Sequence, residues 1–231
     1  MSIRPTNFTS CSWSWTVVCG AAGTGRDRFA YEFALQHGGH VVDSSDLLSG
    51  IRALTSAQTH PELFYADAED HRGFLPSEGP GRSVRQLLPG TPAELAAARL
   101  RAADALSPAV RAVIGKQPRV RDEQGWGPHP VITGRHALPT QGWDCAVIVT
   151  ASEERILTSL RDADPYDDAL ELRAQTALLV QAELIRRGNE HGREHCRVLY
   201  AHAGDESGTV EAVYQSMRDS WDSSTALGGM W

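Results

Sequence analysis

Lysine is almost missing from this chain of 231 residues: Lys116 stands alone among 22 basic residues, and the rest are arginine. With the abundance of alanine, that bias reads as the codon drift of a GC-rich bacterial genome. Cysteine is sparse as well. Cys11, Cys19, Cys145 and Cys196 form no Cys-x-x-Cys pair and no Cys/His ligand spacing. That argues against a disulfide framework or a zinc site and fits a reduced cytoplasm. No window approaches the roughly 20 consecutive apolar residues of a membrane-spanning helix, so no membrane partner is expected. Residues 1–14 lack a basic start followed by an apolar stretch, so secretion is not expected either. Acidic residues outnumber basic ones, 29 against 22, for a formal net charge of −7. Nucleic acid, whose phosphate backbone calls for a basic face, is therefore a poor partner.

What is present is an alternation of short apolar runs and capped amphipathic stretches. Residues 1–14 read as a flexible arm, 220–231 as a flexible Ser/Gly-rich tail, and 15–219 as one domain. β-Branched apolar runs predict strands at 15–19, 40–42, 131–133, 146–149 and 197–200. Arg26 to Gln36 carries Phe29, Ala30, Phe33 and Ala34 on one helical face and is stopped by Gly38-Gly39. Thr91-Pro92-Ala93-Glu94 is a capping box that opens a helix to about Ile114. Further helices are expected from Ser152 to Arg161, from an Asp167 or Asp168 cap to Arg187, and over 209–217. Arg186 and Arg187 suit the negative end of the long helix. The stretch 59–89, rich in Pro, Gly, His and charge, reads as irregular and substrate-facing, and Trp126 and Trp143 as packing aromatics. Strands alternating with helices predict an α/β fold: a five-stranded, mostly parallel sheet covered on both faces. Ligands of such sheets bind beyond the carboxyl ends of the strands.

The most specific signal lies after the first strand. Gly20-Ala21-Ala22-Gly23-Thr24-Gly25-Arg26-Asp27 has strand, glycine turn and helix in the order a phosphate-binding loop requires. The spacing is that of G-x-x-x-x-G-K-[ST], but Arg26 replaces the lysine and Asp27 the magnesium-binding hydroxyl. Gly20, Gly23, Thr24, Gly25 and Arg26 are thus the candidate anion-binding set. Arg26 keeps a positive charge. Asp27 adds a negative one where a triphosphate and its metal would sit, so no metal is expected and ATP/Mg is doubtful as a cofactor.

Two stretches support a family resemblance. Val17 to Leu54 resembles the start of 2-phosphoglycerate kinase and its small-molecule P-loop kinase relatives. Ser45-Asp46 matches a Ser/Thr-Asp pair that opens a helix, Arg52 matches a following arginine, and Ser49 stands where an earlier arginine is usual. Val131-Ile132-Thr133-Gly134-Arg135-His136-Ala137-Leu138-Pro139 is similar to the family element V-I-E-G-x-H-x-x-P, with Thr133 in place of the Glu. The resemblance implies a three-layer P-loop kinase-like fold, lid arginines at Arg155 and Arg161, and a substrate site that includes Arg52 and Arg135. Kinase activity does not carry over, because the Lys, the Ser/Thr and the Glu are all replaced.

Asp43, Asp46 and His136 are the candidate acid–base groups, since all three follow predicted strands near the glycine loop. Asp43 or Ser45 can equally cap the next helix, and His136 can equally pack its own loop. Tyr65 and Arg72, in the irregular stretch, are further candidate substrate contacts. The expected function is a metal-independent enzyme acting on a small phosphate or sulfate ester. It would displace or eliminate the anionic group, for example by ring closure that expels sulfate or phosphate, in bacterial specialised metabolism. A small-molecule kinase or sulfotransferase is one alternative, and a catalytically dead partner of a transferase another. A homodimer or a complex with a transferase is compatible with each.

Overall fold

The computed structural model describes residues 16–37, 39–64, 90–115, 130–139, 145–167, 169–191, 197–203, 210–213 and 215. The expected arm and tail, Tyr65, Arg72, Trp126, Trp143 and most of the irregular stretch lie outside them. Five strands, β1 (Thr16–Gly20), β2 (His40–Asp43), β3 (Pro130–Thr133), β4 (Cys145–Thr150) and β5 (Arg197–His202), form one sheet in the order β2-β3-β1-β4-β5. Every pairing is parallel, where the sequence predicted a mostly parallel sheet. The helices are α1 (Arg26–His37), α2 (Ser44–Leu54), α3 (Pro92–Gly115), α4 (Glu153–Ala163) and α5 (Leu170–His191), with a helical segment at 210–213.

The layers follow from strand alternation. Val17, Cys19, Ile132, Ala146 and Ile148 share one face with Ala103 and Leu106 of α3 and Ala177, Val180 and Leu184 of α5. Val18, Val131, Val147 and Val149 share the other with Phe29, Ala30 and Phe33 of α1 and with Val210 and Val213. This is the three-layer architecture expected from the sequence. β1, β3 and β4 are buried along their whole length, as apolar strands covered on both faces must be.

Local chemistry sets the helix ends. The Thr91 N–H donates to Glu94 Oε2 at 2.7 Å and the Glu94 N–H to Thr91 Oγ1 at 3.3 Å, a reciprocal capping box. The backbone hydrogen bond from Thr91 holds the Glu94 carboxyl below its ordinary range. Helix α3 continues through Pro108 to Gly115, although the ring removes one backbone hydrogen bond. Asp167, expected from the sequence as a cap, lies three residues before α5; it accepts from the Ala169 N–H at 2.9 Å and pairs with buried Arg173 at 2.6 Å, while Ala169, whose carbonyl accepts from the Arg173 N–H, stands at the N-cap position. Helix α5 runs on to His191, so Arg186 and Arg187 are not at its end. They serve ion pairs instead: Arg186 with Glu183 and Glu190, and Arg187 with Glu183 and with Asp104 of α3.

Candidate functional site

The glycine loop opens at the carboxyl end of β1, the central strand. Gly23 and Gly25 have φ of +75° and +77°, and no other residue type adopts a positive φ among the described residues. The sign of φ therefore alternates from Ala22 to Arg26, the backbone pattern of anion-binding nests, while the Thr24 N–H donates to the Ala21 carbonyl at 3.4 Å. The loop is braced from within and from behind. Thr24 Oγ1, buried, donates to the Ala21 carbonyl at 2.8 Å. A Cβ on Gly23 would lie 3.0 Å from the Ile156 carbonyl, so α4 closes against this side of the loop.

Two arginines meet behind it. Arg26 turns back, and its Nη1 donates to the Gly20 carbonyl at 2.7 Å. Arg99 of α3 donates from Nη2 to the same carbonyl at 3.3 Å and from Nε to the Arg135 carbonyl at 3.1 Å. Both guanidinium groups are buried. Burying such charge is costly unless donors find acceptors, and here they find the carbonyls that open two neighbouring loops. Asp27, the second residue of α1, completes the cluster. Its Oδ1 accepts from Arg26 Nε at 3.2 Å and from Thr133 Oγ1, at the end of β3, at 3.0 Å.

The third part is the turn after β3. Gly134 has φ +101°, and a Cβ there would lie 2.2 Å from Asp43 Oδ1 and 2.6 Å from Ser44 Oγ. Only glycine admits that approach. Asp43 caps α2, its Oδ1 accepting from the Ser45 N–H at 2.7 Å. Ser44 Oγ accepts from the backbone N–H of His136, which is buried, at 3.2 Å.

These contacts bring together the glycine loop, Arg26, Asp43, Arg135 and His136 at one carboxyl edge. Asp46 lies exposed in the first turn of α2. Arg52 is directed elsewhere: its Nε donates to the Leu63 carbonyl and its guanidinium sits 5.9 Å over the Phe64 ring. Arg155 precedes Ile156 near the loop, and Arg161 is exposed in the last turn of α4. Sequence reasoning passed over Arg99 and read Asp27 as a lost hydroxyl and an added negative charge, not as a residue bonded to Thr133. Arg99 did carry a signal. It stands in the apolar stripe Leu95, Ala96, Ala102, Ala103, Leu106 of α3, where a charge requires buried partners.

The family resemblance of the sequence raises magnesium and a nucleoside triphosphate, but Arg26 and Asp27 stand in place of the lysine and the hydroxyl that would hold them. At the position of the metal-binding hydroxyl stands a carboxylate, which adds a negative charge beside the loop and is tied through Oδ1 to Arg26 and Thr133. The Arg26 guanidinium is directed to Gly20 rather than across the loop. Among the described residues, no three His, Cys, Asp or Glu side chains gather as a metal-ligand set, and no helix is long and apolar enough to cross a membrane.

The fold and site define a three-layer α/β protein with a glycine loop at the carboxyl edge of a parallel sheet. No protein-family model matches the chain, and no curated protein matches it by sequence. Among solved structures it is similar to that of TT1252 from Thermus thermophilus, at 12% identity and a TM-score of 0.44, over 90% of this chain and 97% of that one.

Proposed function

We propose that this chain is a metal-independent enzyme that displaces the anionic group of a small sulfate or phosphate ester. The observation that supports this reading is the loop with alternating φ at Gly23 and Gly25, backed by the buried guanidinium groups of Arg26 and Arg99. Backbone N–H groups and the N-terminus of α1 favour a compact anion. They also stabilise the charge that grows on the ester oxygen as its bond to carbon breaks; one preorganised donor of this kind is worth about 3–4 kcal/mol. The two guanidiniums lower the electrostatic cost of that charge without approaching the reacting atoms. His136, fixed beside Ser44 at the same edge, is the group assigned to grip the departing oxygen. Nothing in this scheme calls for a metal. Ring closure by an internal amine, with loss of sulfate or phosphate, is a concrete reaction of this class and belongs with bacterial specialised metabolism.

The test is release of sulfate or phosphate from a panel of aminoalkyl sulfate and phosphate esters in the presence of EDTA. The parent is compared with Arg26→Ala, Asp43→Asn, Asp46→Asn and His136→Ala. The reading expects release that survives EDTA and falls at least about tenfold in Arg26→Ala and His136→Ala. A requirement for Mg²⁺, or four variants that all behave like the parent, contradicts it.

A further inference from the structure

Resting on that reading, we infer that Asp27 is a catalytic residue: the carboxylate that binds the attacking amine of the substrate and takes its proton. Three carboxylates lie near the loop, and their surroundings separate them. Asp43 is committed to the α2 cap and wedged against Gly134. Asp46 is exposed on α2. Asp27 alone is tied into the loop itself. Its Oδ1 is fixed by two donors from different elements, Arg26 Nε and Thr133 Oγ1. Its Oδ2 accepts from no described residue, and the side chain is 48% exposed. One oxygen is anchored, and the other, on a half-exposed side chain, has no described partner.

The position of the carboxylate fixes the chemistry of its ligand. It sits at the start of α1, directly after the loop, with its Oδ1 held at 3.2 Å from Arg26 Nε and at 3.0 Å from Thr133 Oγ1 at the end of β3. A carboxylate so close to an anion site repels a bare anion. A ligand that carries an ammonium close to its anionic group turns that repulsion into attraction. The substrate class is therefore a small amino ester of sulfate or phosphate, with the amine near the ester carbon. In the reaction, Oδ2 accepts one N–H proton from the bound ammonium and frees the nitrogen lone pair. Nitrogen then attacks the carbon that bears the ester oxygen. The C–N bond forms as the C–O bond breaks, and the C–O electron pair leaves with inorganic sulfate or phosphate. The product is a cyclic ammonium, and Asp27 returns its proton to water.

Calorimetry with four probes separates this inference from the reading beneath it: 2-aminoethyl sulfate, ethyl sulfate, 2-aminoethyl phosphate and ethyl phosphate. The parent should prefer the amino ester of each pair by about tenfold. Asp27→Asn keeps the shape and the Thr133 contact. It should bind the plain ethyl esters several-fold tighter than the parent and lose the preference for the amine. Asp27→Ser should move both affinities in the same directions. The sulfate and phosphate arms show which ester the loop favours. If the parent binds none of the four, the loop reading fails and this inference with it. If the parent binds ethyl esters without preferring the amine, or if Asp27→Asn keeps that preference, Asp27 is not the amine-binding carboxylate while the loop reading stands.

Discussion

Replacing Gly134 by alanine strikes the point where the β3 turn meets the start of α2. The backbone there has φ +101°, which costs a residue with a Cβ about 1–3 kcal/mol. The new methyl would lie 2.2 Å from Asp43 Oδ1 and 2.6 Å from Ser44 Oγ. Asp43 would have to swing away and release the Ser45 N–H, and a lost N-cap costs about 1 kcal/mol. Together these predict a loss of about 3 kcal/mol. For a domain of this size that lowers the melting temperature by roughly 6–12 °C. Gly50 supplies the control. It lies within α2, where an added methyl would meet nothing within 4 Å, so Gly50→Ala should stabilise by about 0.5–1 kcal/mol. Urea unfolding of both variants against the parent measures the two effects. A Gly134→Ala protein within about 1 kcal/mol of the parent would refute the account of this junction, and with it the fixed placement of His136.

Arg99→Met removes both guanidinium donors to the Gly20 and Arg135 carbonyls; a loss of about 2–3 kcal/mol is expected in thermal unfolding, and an unchanged melting temperature would contradict it. The Glu183 carboxyl is held down at about 2, chiefly by the hydrogen bond from Arg186 and then by Arg187. A depressed acid stabilises above its ordinary 4.5 and loses that contribution as pH falls toward 2. Because these side chains are partly exposed, the effect is small: Glu183→Gln should cost about 0.5–1 kcal/mol at neutral pH and nothing near pH 2, as read by unfolding at both pH values. The double variant Arg26→Lys with Asp27→Ser should gain Mg²⁺-dependent ATP binding over the parent, measured by calorimetry; no gain would mean the two replacements are not what sets nucleotide affinity.

The strands were legible because buried parallel strands leave short, β-branched apolar runs, and Val17-Val18-Cys19 and Ala146-Val147-Ile148-Val149 are such runs. The helix starts were legible where chemistry is local, as in Thr91 with Glu94. The glycine loop was legible for the same reason: its positive φ values are satisfied by glycines at fixed spacing. The contacts that shape the site are long-range and left weaker traces. Arg99 reaches Gly20 across 79 positions and Asp27 reaches Thr133 across 106, and no local pattern encodes such pairs. Arg52 shows the reverse case. Its place in a motif suggested a substrate contact, while its side chain ties α2 to Leu63 and Phe64. For Arg186 and Arg187 the misreading was one of length, because α5 continues to His191 and leaves both arginines facing carboxylates rather than the helix end.

The proposed chemistry requires that the loop from Gly20 to Arg26 hold a compact anion without a metal. Crystals soaked in sulfate with EDTA, and separately in ATP with Mg²⁺, test it most directly. Sulfate density is expected about 3 Å from the backbone N–H groups of Gly23, Gly25 and Arg26, with no ordered triphosphate in the second soak. Sulfate absent from the loop, or an ATP–Mg²⁺ complex seated in it, would rule out a metal-independent anion site there.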